Sequence, residues 1–148
     1  LTLHDEQRGN LRSGEPLSDA ISELKKLHLE GLLANCSLPE RITDAMPTIA
    51  GSGFTYSGGY ANAFCNVPKD WLLDGDKDTD GKLEVRKDLT PNAYRQFVIE
   101  WVESGANLVG GCCGTTAEHI KSITEWLEKN SNSLPVENIQ DKNSNQSD

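Results

Sequence analysis

The sequence predicts an α/β protein whose parallel strands are joined by crossover helices, about four βα units in all. Two observations lead there. Short apolar runs alternate with helix-period patterns along most of the chain, and the helical stretches open and close on residues suited to caps. Two architectures share that rhythm, an open doubly wound sheet and a closed barrel. A third observation favours part of a barrel. A (β/α)8 barrel typically takes ~250 residues, whereas this chain has 148 and begins at Leu1 rather than Met. It therefore reads as a processed chain or a piece of a longer one.

The elements follow in order. Leu1-Thr2-Leu3 is a strand remnant. Ser18 is placed to cap a helix with Ile21, Leu24 and Leu27 on its apolar side, and Gly31 suits its stop. Residues 32–36 form a short buried strand ending at Cys36. Ser37 and Glu40 have capping-box spacing, and Ile42, Ala45, Met46 and Ile49 share one helical face. Residues 54–64 read as a strand running into a loop, and a polar insertion fills 66–88. Thr90 and Pro91 open the next helix, whose stripe of Tyr94, Phe97, Val98, Trp101 and Val102 is the clearest amphipathic signal; Gly105 ends it. Residues 106–109 form a strand and 110–114 the turn after it. Thr115 and Glu118 make a second capping box for a helix burying Ile120, Ile123 and Leu127. The polar stretch from Asn130 has too little apolar surface to offset its ordering entropy. The expected organisation is one domain over 1–129 and a disordered tail over 130–148.

A formal net charge of -9 would repel nucleic acid and anionic membranes. No apolar run reaches the length of a membrane span and no signal peptide is visible, so a cytoplasmic setting is expected. In that setting the four cysteines read as metal-binding or catalytic rather than as disulfides.

Cys36 ends one predicted strand, and Cys112 and Cys113 end another. In parallel α/β folds the C-terminal strand ends form the functional face, so these thiols are expected to converge there. Zinc takes thiolates in a tetrahedron, and a catalytic site leaves one position open. Gly110, Gly111 and Gly114 give the backbone freedom that adjacent ligands need. Cys65 reads as inert packing. Two other functions compete. Asp76, Asp78, Asp80 and Gly81 fit positions of a calcium loop over 76–87, although Lys87 stands where a bidentate Glu is required. A non-enzymatic metal-binding module would use that loop or the cysteines, and a thiol redox protein would use Cys112 and Cys113. His4, His28 and His119 lack ligand spacing and read as structural or surface residues, with His28 late in a helix.

The segment Gly-Gly-Cys-Cys-Gly-Thr-Thr-Ala-Glu-His-Ile at 110–120 resembles the zinc-binding signature of the homocysteine S-methyltransferase family. Ala34-Asn35-Cys36-Ser37, with Pro39-Glu40 after it, is similar to that family's upstream Asn-Cys motif. Leu11-Arg12-Ser13-Gly14-Glu15 and Tyr60-Ala61-Asn62-Ala63 resemble two further family stretches, although Ala61 stands where many members have Pro. The resemblance spans roughly residues 1–129. It implies the C-terminal half of a (β/α)8 barrel, with Zn2+ held by Cys36, Cys112 and Cys113. It implies methyl transfer from a sulfonium or ammonium donor to homocysteine, giving methionine. The glycine-rich loop and acidic residues that hold the substrate's amino-acid end belong to the family's first half, which has no counterpart here. The chain alone is therefore expected to be inactive, with that missing half as its partner or with self-association covering its open sheet edges.

Overall fold

The computed structural model describes residues 1–65 and 83–131. Its elements are α1 (Leu17–Leu24), β1 (Gly31–Asn35), α2 (Pro39–Ala50), β2 (Tyr56–Ala61), α3 (Pro91–Glu103), β3 (Leu108–Gly111) and α4 (Ala117–Asn130). The strands pair in the order β1-β2-β3, all parallel, with Asn35 opposite Tyr60 and Ala61 opposite Gly111. The first residues extend this sheet. The Leu1 ammonium donates to Leu33 O at 2.8 Å and Asn35 N donates to Leu1 O at 2.6 Å, the pattern of a parallel neighbour.

Local chemistry explains where the helices begin. α1 follows Pro16, whose backbone is extended, so Ser18 lies inside the helix and makes no cap. Leu17 and Ile21 are buried, but the helix stops at Leu24. Leu27, 57% exposed, and His28 therefore lie beyond it. α2 starts after Leu38 with Pro39 at its first position. The Ser37 hydroxyl makes no capping bond; it accepts from Leu3 N at 2.8 Å and donates to Asn35 O at 3.0 Å. Ile42, Ala45, Met46 and Ile49 are buried together as their spacing predicts. α3 begins as expected: Thr90 accepts from Ala93 N, and Tyr94, Val98, Trp101 and Val102 are buried. α4 is capped one residue later than its spacing suggests, by Thr116 with His119 as the reciprocal partner. In it His119 and Ile123 are buried, whereas Ile120, expected in the core, is 43% exposed.

α2 packs against β1, β2 and α3, and α3 packs against β2, β3 and α4. Helices that touch one another must share a side of the sheet, so α2, α3 and α4 form one layer. The sheet residues facing that layer include Leu32, Ala34 and Ala61, all buried. Leu33, Tyr56, Tyr60 and Leu108 alternate onto the opposite face, where Tyr56 is 37% and Leu108 44% exposed. Among the described residues no helix is long and apolar enough to cross a membrane. Most of the acidic loop at 76–87 and nearly all of the polar tail lie outside the described residues. Asn130 itself closes α4, its side chain donating to Trp126 O at 2.8 Å.

Candidate metal centre

Cys36 is the residue after β1 and Cys112 the residue after β3, so both sit at the C-terminal strand ends. The Sγ atoms of Cys36, Cys112 and Cys113 all lie within 4.8 Å of one another, and those of Cys112 and Cys113 are 3.7 Å apart. Tetrahedral zinc with bonds of ~2.3 Å would separate two thiolates by ~3.8 Å. The three-sulfur group therefore fits that ion. Cys36 and Cys112 are half-buried and Cys113 is exposed, leaving one side open to an incoming ligand. Without a cation, burial pushes the Cys36 thiol up to about 12, and the neighbouring Cys112 and Cys113 add to the shift. A metal cation would act in the opposite sense, because it favours thiolate over thiol.

The end of β2 and the residues just after it tie both cysteine loops together. Cys36 N donates to Tyr60 O at 3.0 Å, and Cys112 N donates to Ala61 O at 2.9 Å. Ala63 N donates to Cys113 O at 2.8 Å. Cys36 has φ 47, a left-handed conformation that non-glycine residues adopt at a cost of about 1–3 kcal/mol. Two glycines shape the other loop. At Gly114 φ is 77, and at Gly111 a Cβ would lie 2.4 Å from Thr115 Oγ1. Thr115 needs that space to donate to Cys112 O at 2.6 Å. Gly110 and Gly111 pair with β2 instead of forming the expected turn, so β3 runs to Gly111 and the turn starts at Cys112.

Tyr94 enters the sheet from below the site. Its hydroxyl sits between β2 and β3: it accepts from Ala61 N at 3.0 Å and donates to Gly110 O at 2.7 Å. Burial, with the adjacent Cys112 as a further cause, raises the phenol's pKa, so the hydroxyl stays protonated and able to donate. Trp101 and His119 hold the ring edge-on, with centroids at 6.0 and 5.6 Å. Nε2 of His119 lies 2.9 Å from Leu89 O, and Nδ1 accepts from Thr116 N at 3.1 Å. A carbonyl can only accept, so these partners select the neutral Nε2–H tautomer. His119 is thus hydrogen-bonded within the fold, and His28 is exposed. Cys65 is exposed rather than packed, because Cys65 N pairs with Glu84 O at 2.9 Å on the surface arm that returns from the insertion. Asn62 and Tyr94 were not legible as site residues. Asn62 lies in a segment singled out by resemblance, but nothing local marks its side chain, and Tyr94 reads as part of an apolar stripe.

Residues 1–127 match the family model described as Homocysteine S-methyltransferase. The chain is 25% identical over 142 residues to Homocysteine S-methyltransferase 2 of Saccharomyces cerevisiae, covering 87% of this chain and 38% of that protein. It is 46% identical over 39 residues to a selenocysteine methyltransferase of Astragalus bisulcatus, covering 26% of this chain and 12% of that one. In fold it is similar to the homocysteine methyltransferase MmuM of Escherichia coli in its apo form, with TM-score 0.56 and 22% identity, covering 81% of this chain and 36% of that one. The metallated form of the same protein gives TM-score 0.56 over 82% of this chain and 33% of that one. The chain thus spans well under half the length of these full-length relatives. With the match running from Leu1 through the cysteine turn into α4, the chain belongs to the homocysteine S-methyltransferase family.

Proposed function

We propose that this chain is the metal-binding C-terminal half of a (β/α)8 barrel that methylates homocysteine to methionine. The observation that carries the proposal is the convergence of Cys36, Cys112 and Cys113 to within 4.8 Å at the C-terminal strand ends. The sequential strand order and the shared layer of α2, α3 and α4 support a barrel-type winding, since a doubly wound sheet has helices on both faces.

Cys36, Cys112 and Cys113 would hold zinc. Bound there, zinc would supply a cationic centre that favours the thiolate form of a thiol near neutral pH. The chain's own part is to fix three sulfurs at two strand ends and to keep one side of the group accessible. In the overall reaction the homocysteine sulfur takes a methyl carbon from a sulfonium or ammonium donor. The donor's carbon–heteroatom bond breaks, and its electron pair stays on the donor sulfur or nitrogen. Two substrates are thus implied, homocysteine and a small methyl donor.

The test is zinc content after purification under reducing conditions. The chain is expected to carry about one zinc. Cys36→Ala, Cys112→Ala and Cys113→Ala are each expected to lose most of it, because too few protein ligands remain. Cys65→Ala should keep it. Equal loss in Cys65→Ala and Cys36→Ala would overturn the ligand assignment.

A further inference from the structure

Cys36 breaks the regular pairing between β1 and the segment after β2. In an unbroken parallel ladder, a residue that donates to Tyr60 O also accepts from Asn62 N. Cys36 does the first, with its N–H 3.0 Å from Tyr60 O. Its left-handed φ of 47 turns its carbonyl out of the ladder, and Asn62 N donates instead to Ser37 O at 3.0 Å. The Cys36 carbonyl would then be an orphan acceptor in the wall of the site. The Asn62 side chain takes it: Nδ2 donates to Cys36 O at 2.9 Å, while Oδ1 accepts from Phe64 N at 3.0 Å. Asn62 is fully buried, at 0% exposure. Its two side-chain bonds therefore face different tasks. One shapes the loop toward Phe64, and the other fixes the peptide of a cysteine in the sulfur cluster.

We infer that Asn62 is a positioning residue for the metal centre, locking Cys36 in the left-handed conformation that aims its sulfur at Cys112 and Cys113. The inference rests on the reading that these three cysteines hold zinc. Buried groups that orient ligands in this way typically change metal affinity ~10–100-fold when removed. An amide is suited to the position because one end must donate and the other accept; a carboxylate can only accept.

The experiment uses the full chain, with Asn62→Asp and Asn62→Ala compared with the unsubstituted protein and with Cys36→Ala. Asn62→Asp keeps the acceptor for Phe64 N–H and loses the donor to Cys36 O, so it separates folding from metal positioning. Zinc affinity is measured by chelator competition, and the thiolates bound are counted from the sulfur-to-cobalt charge-transfer band after Co2+ substitution. Metal-free Asn62→Asp is expected to keep the wild-type circular dichroism spectrum. Both variants are expected to bind zinc ~10–100-fold more weakly. Their cobalt band should fall from the intensity of three thiolates to that of two, the level of Cys36→Ala. Affinity within about twofold of wild type with an undiminished band would overturn the inference. So would loss of the metal-free fold in both variants, which would make Asn62 structural only. If the unsubstituted chain binds neither metal, the zinc reading fails and takes this inference with it.

Discussion

Arg86 shows how single residues hold the arm that returns from the insertion to α3. Its backbone N–H donates to Ala63 O at 2.8 Å, and its guanidinium reaches Glu40 at 2.7 and 3.0 Å and Asp88 at 2.8 Å. Glu40 lies in the first turn of α2, where a carboxylate also suits the helix dipole. The arm is thereby fixed beside the segment that carries Asn62. Arg86, as hydrogen-bond donor, holds the Asp88 carboxyl below its ordinary value of 3.8. A carboxyl depressed on folding contributes stability above its ordinary value, and that contribution is lost as pH falls through the lowered value. Asp88 is exposed, so the effect is small. The expected result is a slightly lower melting temperature for Asp88→Asn near neutral pH, with the difference shrinking below pH 3.8. A difference that stays constant as the pH falls would rule out this origin. The three cysteines were legible at this scale because their spacing and flanking glycines are unusual. Asn62 and Arg86 were not, since their partners lie 26 and 46 residues away in the chain.

Among the elements, α3 was the most legible and the ends of β3 and α4 the least. Thr90, Pro91 and the buried stripe are local signals, and each acts in the structure as it does in the sequence. Gly110 and Gly111 look like a turn on propensity alone, yet pairing with β2 makes them strand. Thr115 and Thr116 are both competent caps. The choice falls on Thr116 because Thr115 is already bound to Cys112 O and because His119 can then reach Leu89 O. The β2–β3 junction gives the element-scale prediction. Tyr94→Phe keeps the ring between Trp101 and His119 but removes the hydroxyl that accepts from Ala61 N and donates to Gly110 O. Losing the hydrogen bonds of a buried hydroxyl costs about 0.5–1.5 kcal/mol. Urea unfolding of the metal-free chain should show that loss with little change in m-value. No change in midpoint would mean that the hydroxyl contributes nothing.

For the whole molecule, the decisive feature is what the helix layer leaves uncovered. Leu33, Tyr56, Tyr60 and Leu108 occupy the side of the sheet away from α2, α3 and α4, and in the proposed barrel that side faces the interior. A closed barrel fills this space with side chains from all its strands, and closure removes the sheet edges. The chain covers 38% of the yeast relative and 36% of the Escherichia coli structure, so most of such a barrel lies outside it. The family resemblance puts the residues that hold the substrate's amino-acid end in that other part. Homocysteine would then be tethered here by its sulfur alone. Methyl transfer needs the sulfur in line with the departing group at near-contact distance, and much of an enzyme's rate comes from holding that geometry. One anchor leaves the rest of the substrate free to rotate. The zinc-loaded chain is therefore expected to form no measurable methionine with S-methylmethionine, S-adenosylmethionine or betaine. Addition of a polypeptide carrying the first half of a full-length relative should restore turnover with one of these donors. The assay measures methionine formation with and without that polypeptide, and Cys112→Ala serves as the control that abolishes any recovered rate. Turnover by this chain alone, at a rate typical of enzymes and lost in Cys112→Ala, would sink the half-barrel reading while leaving the metal site intact.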